Sequence, residues 1–72
     1  MNKKLLESKM KLFGDTQKTL AIALNLSETT VNLKINESNG AEFVQSEIKA
    51  IKERYCLTVE EVDAIFFAEK SN

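Results

Sequence analysis

The stretch from Thr16 to Asn36, TQKTLAIALNLSETTVNLKIN, constrains this chain more than any other. Leu20, Ala21 and Leu24 fall at i, i+1 and i+4, one face of a short helix, and Thr16 stands where its side chain can cap the first free amides. Asn25 should end that helix, because asparagine is, after glycine, the residue most at ease in the left-handed conformation that turns a chain sharply. Ser27 is the right type to cap a second helix, and Leu26 before it can staple onto Val31, the fourth helical residue, which sets the angle of re-entry. Val31 and Ile35 then face inward. Two helices that cross steeply approach closely only where a side chain is small, and Ala21 supplies that side chain. Each signal alone also fits an ordinary helical hairpin. Cap, turn and staple in this register read as a helix-turn-helix over residues 16–36.

The rest of the chain reads as its support. Leu5, Leu6, Met10 and Phe13 lie on one helical stripe, so a first helix is expected over about residues 3–13, ended by Gly14. Its lysines suit either DNA phosphates or a plain solvated face, and the spacing does not choose between them. Asn36 to Gly40 is turn chemistry, either a plain connector or a short polar loop whose amides can approach a phosphate. From Val44 to Tyr55 the residues Ile48, Ile51 and Tyr55 keep the rhythm of a fourth helix, with Phe43 plugging its start. Thr58 and Glu61 form a capping box, with Leu57 and Val62 as its staple, so a fifth helix begins at Val59. Val62, Ile65 and Phe66 make its inner face, which leaves Phe67 or part of Phe66 as surplus apolar surface. The expectation is an all-α, five-helix domain spanning residues 1–72, with an ordered core of about 3–67.

Seventy-two residues hold one modest core, small enough that self-association would help it. One cysteine, Cys56, and no histidine exclude an internal disulfide, a Cys/His zinc set and a histidine base. No nucleophile and base stand in plausible association, so no enzyme activity, cofactor, metal or small-molecule substrate is expected. Glu7, Lys9 and Lys11 interrupt any signal-like apolar run, and no window approaches the roughly 20 apolar residues that span a bilayer. A cytoplasmic protein without a membrane role is expected. The net charge is −1, an unhelpful balance for a protein that lives on phosphate. The average hides an asymmetry: residues 1–25 carry +3 and residues 58–72 carry −3.

In a helix-turn-helix the second helix enters the major groove and presents its outward residues to base edges. Here those are Glu28, Thr29, Asn32 and Leu33. Asn32 suits adenine, Thr29 donates or accepts, Leu33 can pack only on a thymine methyl, and Glu28 accepts from cytosine but repels phosphate. Gln17 at the positive end of the preceding helix, and Lys34, are placed for phosphates, and Asn36 and Asn39 belong to the loop that can join them. No arginine stands on this face, and the only one, Arg54, sits in the fourth helix. Affinity for double-stranded operator DNA should therefore be poor for a monomer, and a homodimer on two half-sites would partly repair it.

The pattern Thr-Gln-x-x-Leu-Ala, turn, Ser-x-x-Thr-Val resembles the helix-turn-helix repressors and Cro-type regulators of temperate phages. The later run from Asn39 to Ile48, Asn-Gly-Ala-Glu-Phe-x-Gln-Ser-Glu-Ile, is similar to small Cro-like or modulator-of-repression proteins from phages of Gram-positive bacteria. That resemblance implies a lambda-repressor-like fold and a regulator of the lysis or lysogeny decision, with the DNA-facing roles above at the matching positions. It also implies a partner, the phage's own repressor. In that case Glu28, Leu33, Phe66 and Phe67 are the candidate contact residues, and the acidic final third complements a basic DNA-reading surface. If the repressor's reading helix is what becomes covered, the chain is an antirepressor that need not bind DNA itself.

Overall fold

Each helix begins where a side-chain oxygen accepts from a backbone amide of its first turn or cap, and ends where the backbone amide of the capping residue reaches back to a carbonyl of the last turn. The computed structural model describes residues 1–67. Among them run five α-helices and no strand: α1 Lys3–Leu12, α2 Gln17–Leu24, α3 Glu28–Ile35, α4 Gln45–Arg54 and α5 Val59–Phe66, with a 3-10 turn at Ser38–Gly40 between α3 and α4. Residues 68–72 of the expected domain, with Glu69 and Lys70 of its acidic end, lie outside the described residues. No described helix is long and apolar enough to cross a membrane.

At α2, Thr16 Oγ1 accepts from the Thr19 amide at 3.2 Å, and Thr19 Oγ1 accepts from the Thr16 amide at 2.9 Å. This reciprocal pair occupies two otherwise unpaired donors. Asn25 ends the helix at φ 59°, ψ 42°. Its amide donates to the Ile22 carbonyl at 3.2 Å, and the Leu26 amide reaches back to Ala21 at 2.9 Å, which closes the last turn. Ser27 Oγ then accepts from the Thr30 amide at 3.1 Å and starts α3. Two residues, Asn25 and Leu26, separate the end of α2 from the cap of α3.

All five helices feed one core. Leu6 and Met10 come from α1, Leu20 and Ala21 from α2, Val31 and Ile35 from α3, Ile48 and Ile51 from α4, and Ile65 from α5, with Phe43, Tyr55 and Leu57 closing the gaps between elements. Leu24, Leu26, Val62 and Phe66 pack half-buried around it. Phe13 corrects the expected stripe. It is the residue at which the chain leaves α1, it stays 48% exposed, and it lies against Tyr55 with ring centroids 5.3 Å apart. Gly14 follows at φ +71°, a conformation that costs a side-chain-bearing residue energy even though open space surrounds its α-carbon.

The capping box of α5 is complete. Thr58 Oγ1 accepts from the Glu61 amide at 3.1 Å, and Glu61 Oε1 accepts from the Thr58 amide at 2.9 Å. Glu61 also receives Lys9 of α1, and that contact, with the Thr58 amide, holds its carboxyl below the usual carboxylate range. Because the Asn2 amide also donates to the Ile65 carbonyl at 2.7 Å, α1 and α5 run antiparallel. Thr58→Ala should cost about 1 kcal/mol, read as a fall in melting temperature of roughly 4–8 °C. An unchanged melting temperature would show that the cap contributes nothing net.

Candidate functional site

The outward side of α3 is built by what its inward side must bury. Val31 and Ile35, four residues apart, go fully into the core, which leaves Thr29, Asn32 and Leu33 facing out, and Glu28 is exposed with them as the first residue of the helix. Gln17, the first residue of α2, lies beside them half-buried. Its Oε1 accepts from Asn32 Nδ2 at 3.0 Å. The pair fixes both amides. Gln17 keeps its own two side-chain N–H donors, and Asn32 keeps its side-chain Oδ1 and one Nδ2–H. Gln17, Glu28, Thr29 and Asn32 together line an open groove of about 270 Å³.

The other candidate residues go elsewhere. Lys34, expected to reach a phosphate, instead pairs with Glu47 of α4 at 2.6 Å, with only 15% and 13% of the two side chains exposed. The reason is its place on the helix, one residue before buried Ile35 and toward the start of α4. Glu47 also accepts from the Val44 amide at 3.0 Å and so half-caps α4, since valine offers no acceptor for the reverse bond. Asn36, exposed at the end of α3, accepts from Lys3 of α1 and donates to the Asn32 carbonyl at 2.9 Å. Asn39 is exposed in the following loop at φ 56°, and Glu37 there is also left-handed at φ 53° while its carboxylate pairs with the Met1 amine at 3.3 Å. Leu33 is 38% exposed.

Phe66 and Phe67 are not equivalent. Phe66 meets Phe43 edge to face at 6.0 Å and is half-buried, whereas Phe67 is 52% exposed. Both line a separate hollow of about 110 Å³ together with Lys34, Glu37 and Phe43. The apolar end of α5 and the groove of α2 and α3 are thus two distinct surfaces. Cys56, free and exposed at φ +52°, belongs to neither.

A cluster that no local pattern announces holds the α1–α2 connection in place. The Asp15 carboxylate, 7% exposed, accepts from Arg54 Nε at 2.6 Å and Nη2 at 2.8 Å, from the Tyr55 hydroxyl at 2.6 Å and from Thr19 Oγ1 at 2.7 Å. The Arg54 guanidinium holds the Asp15 carboxyl well below the usual carboxylate range, helped by Tyr55 and Thr19 against the opposing effect of burial. Burial, with the Asp15 charge beside it, pushes the Tyr55 hydroxyl above its ordinary value. Since Asp15 adjoins the cap of α2, this cluster ties the end of α4 to the position of Gln17. The chain's one arginine is consumed in that role.

No protein-family model matches this chain, and neither a curated protein nor a solved structure does.

Proposed function

We propose that this chain is a helix-turn-helix regulator of a phage lysis or lysogeny decision, a non-enzymatic protein of the bacterial cytoplasm that acts by forming a complex with the phage repressor. The resemblance of its two motifs supplies the class, and one observation carries the choice of partner. Lys34, the only cation of α3, is paired with Glu47, so the outward residues of α3 are Glu28, Thr29, Asn32 and Leu33, with one acid and no base among them. Such a surface gains little from phosphates, which supply most sequence-independent affinity for DNA. It complements the basic, DNA-reading side of another protein. Docking there would make the chain an antirepressor.

Direct operator reading, by the monomer or by a homodimer on two half-sites, is the second reading, and the Gln17–Asn32 hydrogen bond favours it. Orienting an adenine-reading amide through a phosphate-facing neighbour would lock register and readout together. Gel shifts on the phage's divergent promoter region with this protein, the repressor and both separate the two. A band from this protein alone supports operator reading; loss of the repressor's band only in the mixture supports masking.

Leu33→Arg sharpens the distinction. Leu33 already hides more than half of its surface, so covering the remaining 38% contributes about 1 kcal/mol. Placing a desolvated arginine against the same contact costs more, so the repressor complex should weaken at least about tenfold, chiefly through faster dissociation. The added cation should leave DNA affinity equal or higher at one fixed salt concentration. If the variant holds the repressor as tightly as the wild type, the contact surface is not α3, and Phe67 becomes the next residue to substitute.

A further inference from the structure

The groove between α2 and α3 has a composition that selects for one kind of side chain. Its four lining residues are polar, and its one charge is the Glu28 carboxylate, which has no cationic partner among the described residues. Glu28 contributes two free acceptor oxygens, Asn32 its unpaired side-chain oxygen Oδ1, and Thr29 a hydroxyl that accepts as readily as it donates. Resting on the repressor-docking reading above, we propose that this groove receives the guanidinium of an arginine from the protein partner, with Glu28 as its counter-ion and the Gln17–Asn32 amide pair as its floor.

The chemistry favours guanidinium over the alternatives. It is planar, weakly hydrated and carries five N–H donors in a fixed fork, so it can bond a carboxylate and lie over neutral amides in one placement. A lysine ammonium is compact and strongly hydrated, and would leave the amide floor unused. A nucleobase brings its phosphates with it. Glu28 repels those, and no lining residue carries a compensating positive charge. A surface that reads DNA, conversely, commonly displays arginine, since arginine to guanine is the commonest specific contact. The groove therefore offers such a surface the carboxylate and carbonyl acceptors it would otherwise seek in the major groove.

The test is a titration of the isotopically labelled chain with N-acetyl-arginine amide, followed by the side-chain amide resonances of Gln17 and Asn32 and the backbone amides of Glu28 and Thr29. N-acetyl-lysine amide and the four nucleoside monophosphates serve as competing probes. Saturable shifts confined to these residues with the arginine probe, weaker ones with lysine, and a loss of affinity of about fivefold in Glu28→Gln are expected. Glu28 is exposed at the first turn of α3, so the conservative variant keeps the fold. Equal responses to arginine and lysine, an unaltered Glu28→Gln variant, or preferential binding of a nucleotide would each overturn the proposal, the last in favour of a base-reading groove. If the repressor binds while the arginine probe ignores the groove, the inference fails and the docking reading stands. If the probe binds the groove and the repressor does not associate, the reverse holds.

Discussion

Replacing Asp15 with alanine is expected to lower the unfolding free energy by about 3 kcal/mol, because it removes a nearly buried carboxylate that several donors share. The Tyr55 hydroxyl would be left without its partner in a residue only 2% exposed, and that loss is not recoverable from solvent. Arg54 loses less, since 37% of its side chain reaches water. The change should appear as a fall in melting temperature of the order of 10 to 20 °C. It also carries a pH signature. A carboxyl whose folded value lies below its unfolded value of about 3.9 contributes stability that is complete above that value and is lost as pH falls toward the folded one. The difference between wild type and Asp15→Ala should thus be constant above about pH 5 and shrink below about pH 4. Comparing the two proteins cancels the other acids, Glu61 among them, that titrate in the same range. A difference that persists undiminished to low pH would mean that Asp15 stabilises by packing alone.

Ala21→Leu is the second large effect. Ala21 is 2% exposed in the core beside Leu20, Val31 and Ile35, and it also carries the carbonyl that accepts from Leu26 as the chain turns. Three extra carbons there cannot be absorbed by rotating an end group, and overpacking of this kind costs about 1 to 3 kcal/mol or more. Ala23→Leu makes the control, because Ala23 is exposed on the same helix and the same substitution there should stay within about 0.5 kcal/mol. Equal melting temperatures for the two variants would sink the close approach of α2 and α3 at Ala21.

These two residues divide what is local from what is not. Ala21 is legible in the sequence because the residues that explain it are its neighbours: the face shared with Leu20 and Leu24, the asparagine that ends the helix, and the serine and staple that begin the next. The Thr16, Ser27 and Thr58 caps are legible for the same reason. A cap closes a ring of about three residues, so its geometry depends on little beyond them. The outward face of α3 follows too. Once Val31 and Ile35 are inward, helical periodicity places Thr29 and Leu33 on the other side and Asn32 at its edge; Glu28, three residues before Val31, shares the inward face by periodicity and is exposed where α3 begins.

Asp15 could not be read this way. Its partners Arg54 and Tyr55 are 39 and 40 residues distant, and an acid beside a helix cap reads as an ordinary solvated residue until the end of α4 is brought against it. Lys34 shows the same limit at the candidate site. Periodicity makes it a residue near the open face, but the acid 13 positions later decides whether its charge is free. The Gln17–Asn32 hydrogen bond spans 15 residues and joins two amides whose helices had to be positioned first. The sequence by itself determined where helices start, stop and turn, because those outcomes rest on interactions within a single turn of chain. The tertiary structure alone decided which outward charges remain available, because a long side chain pairs with whatever the packed core carries into its reach.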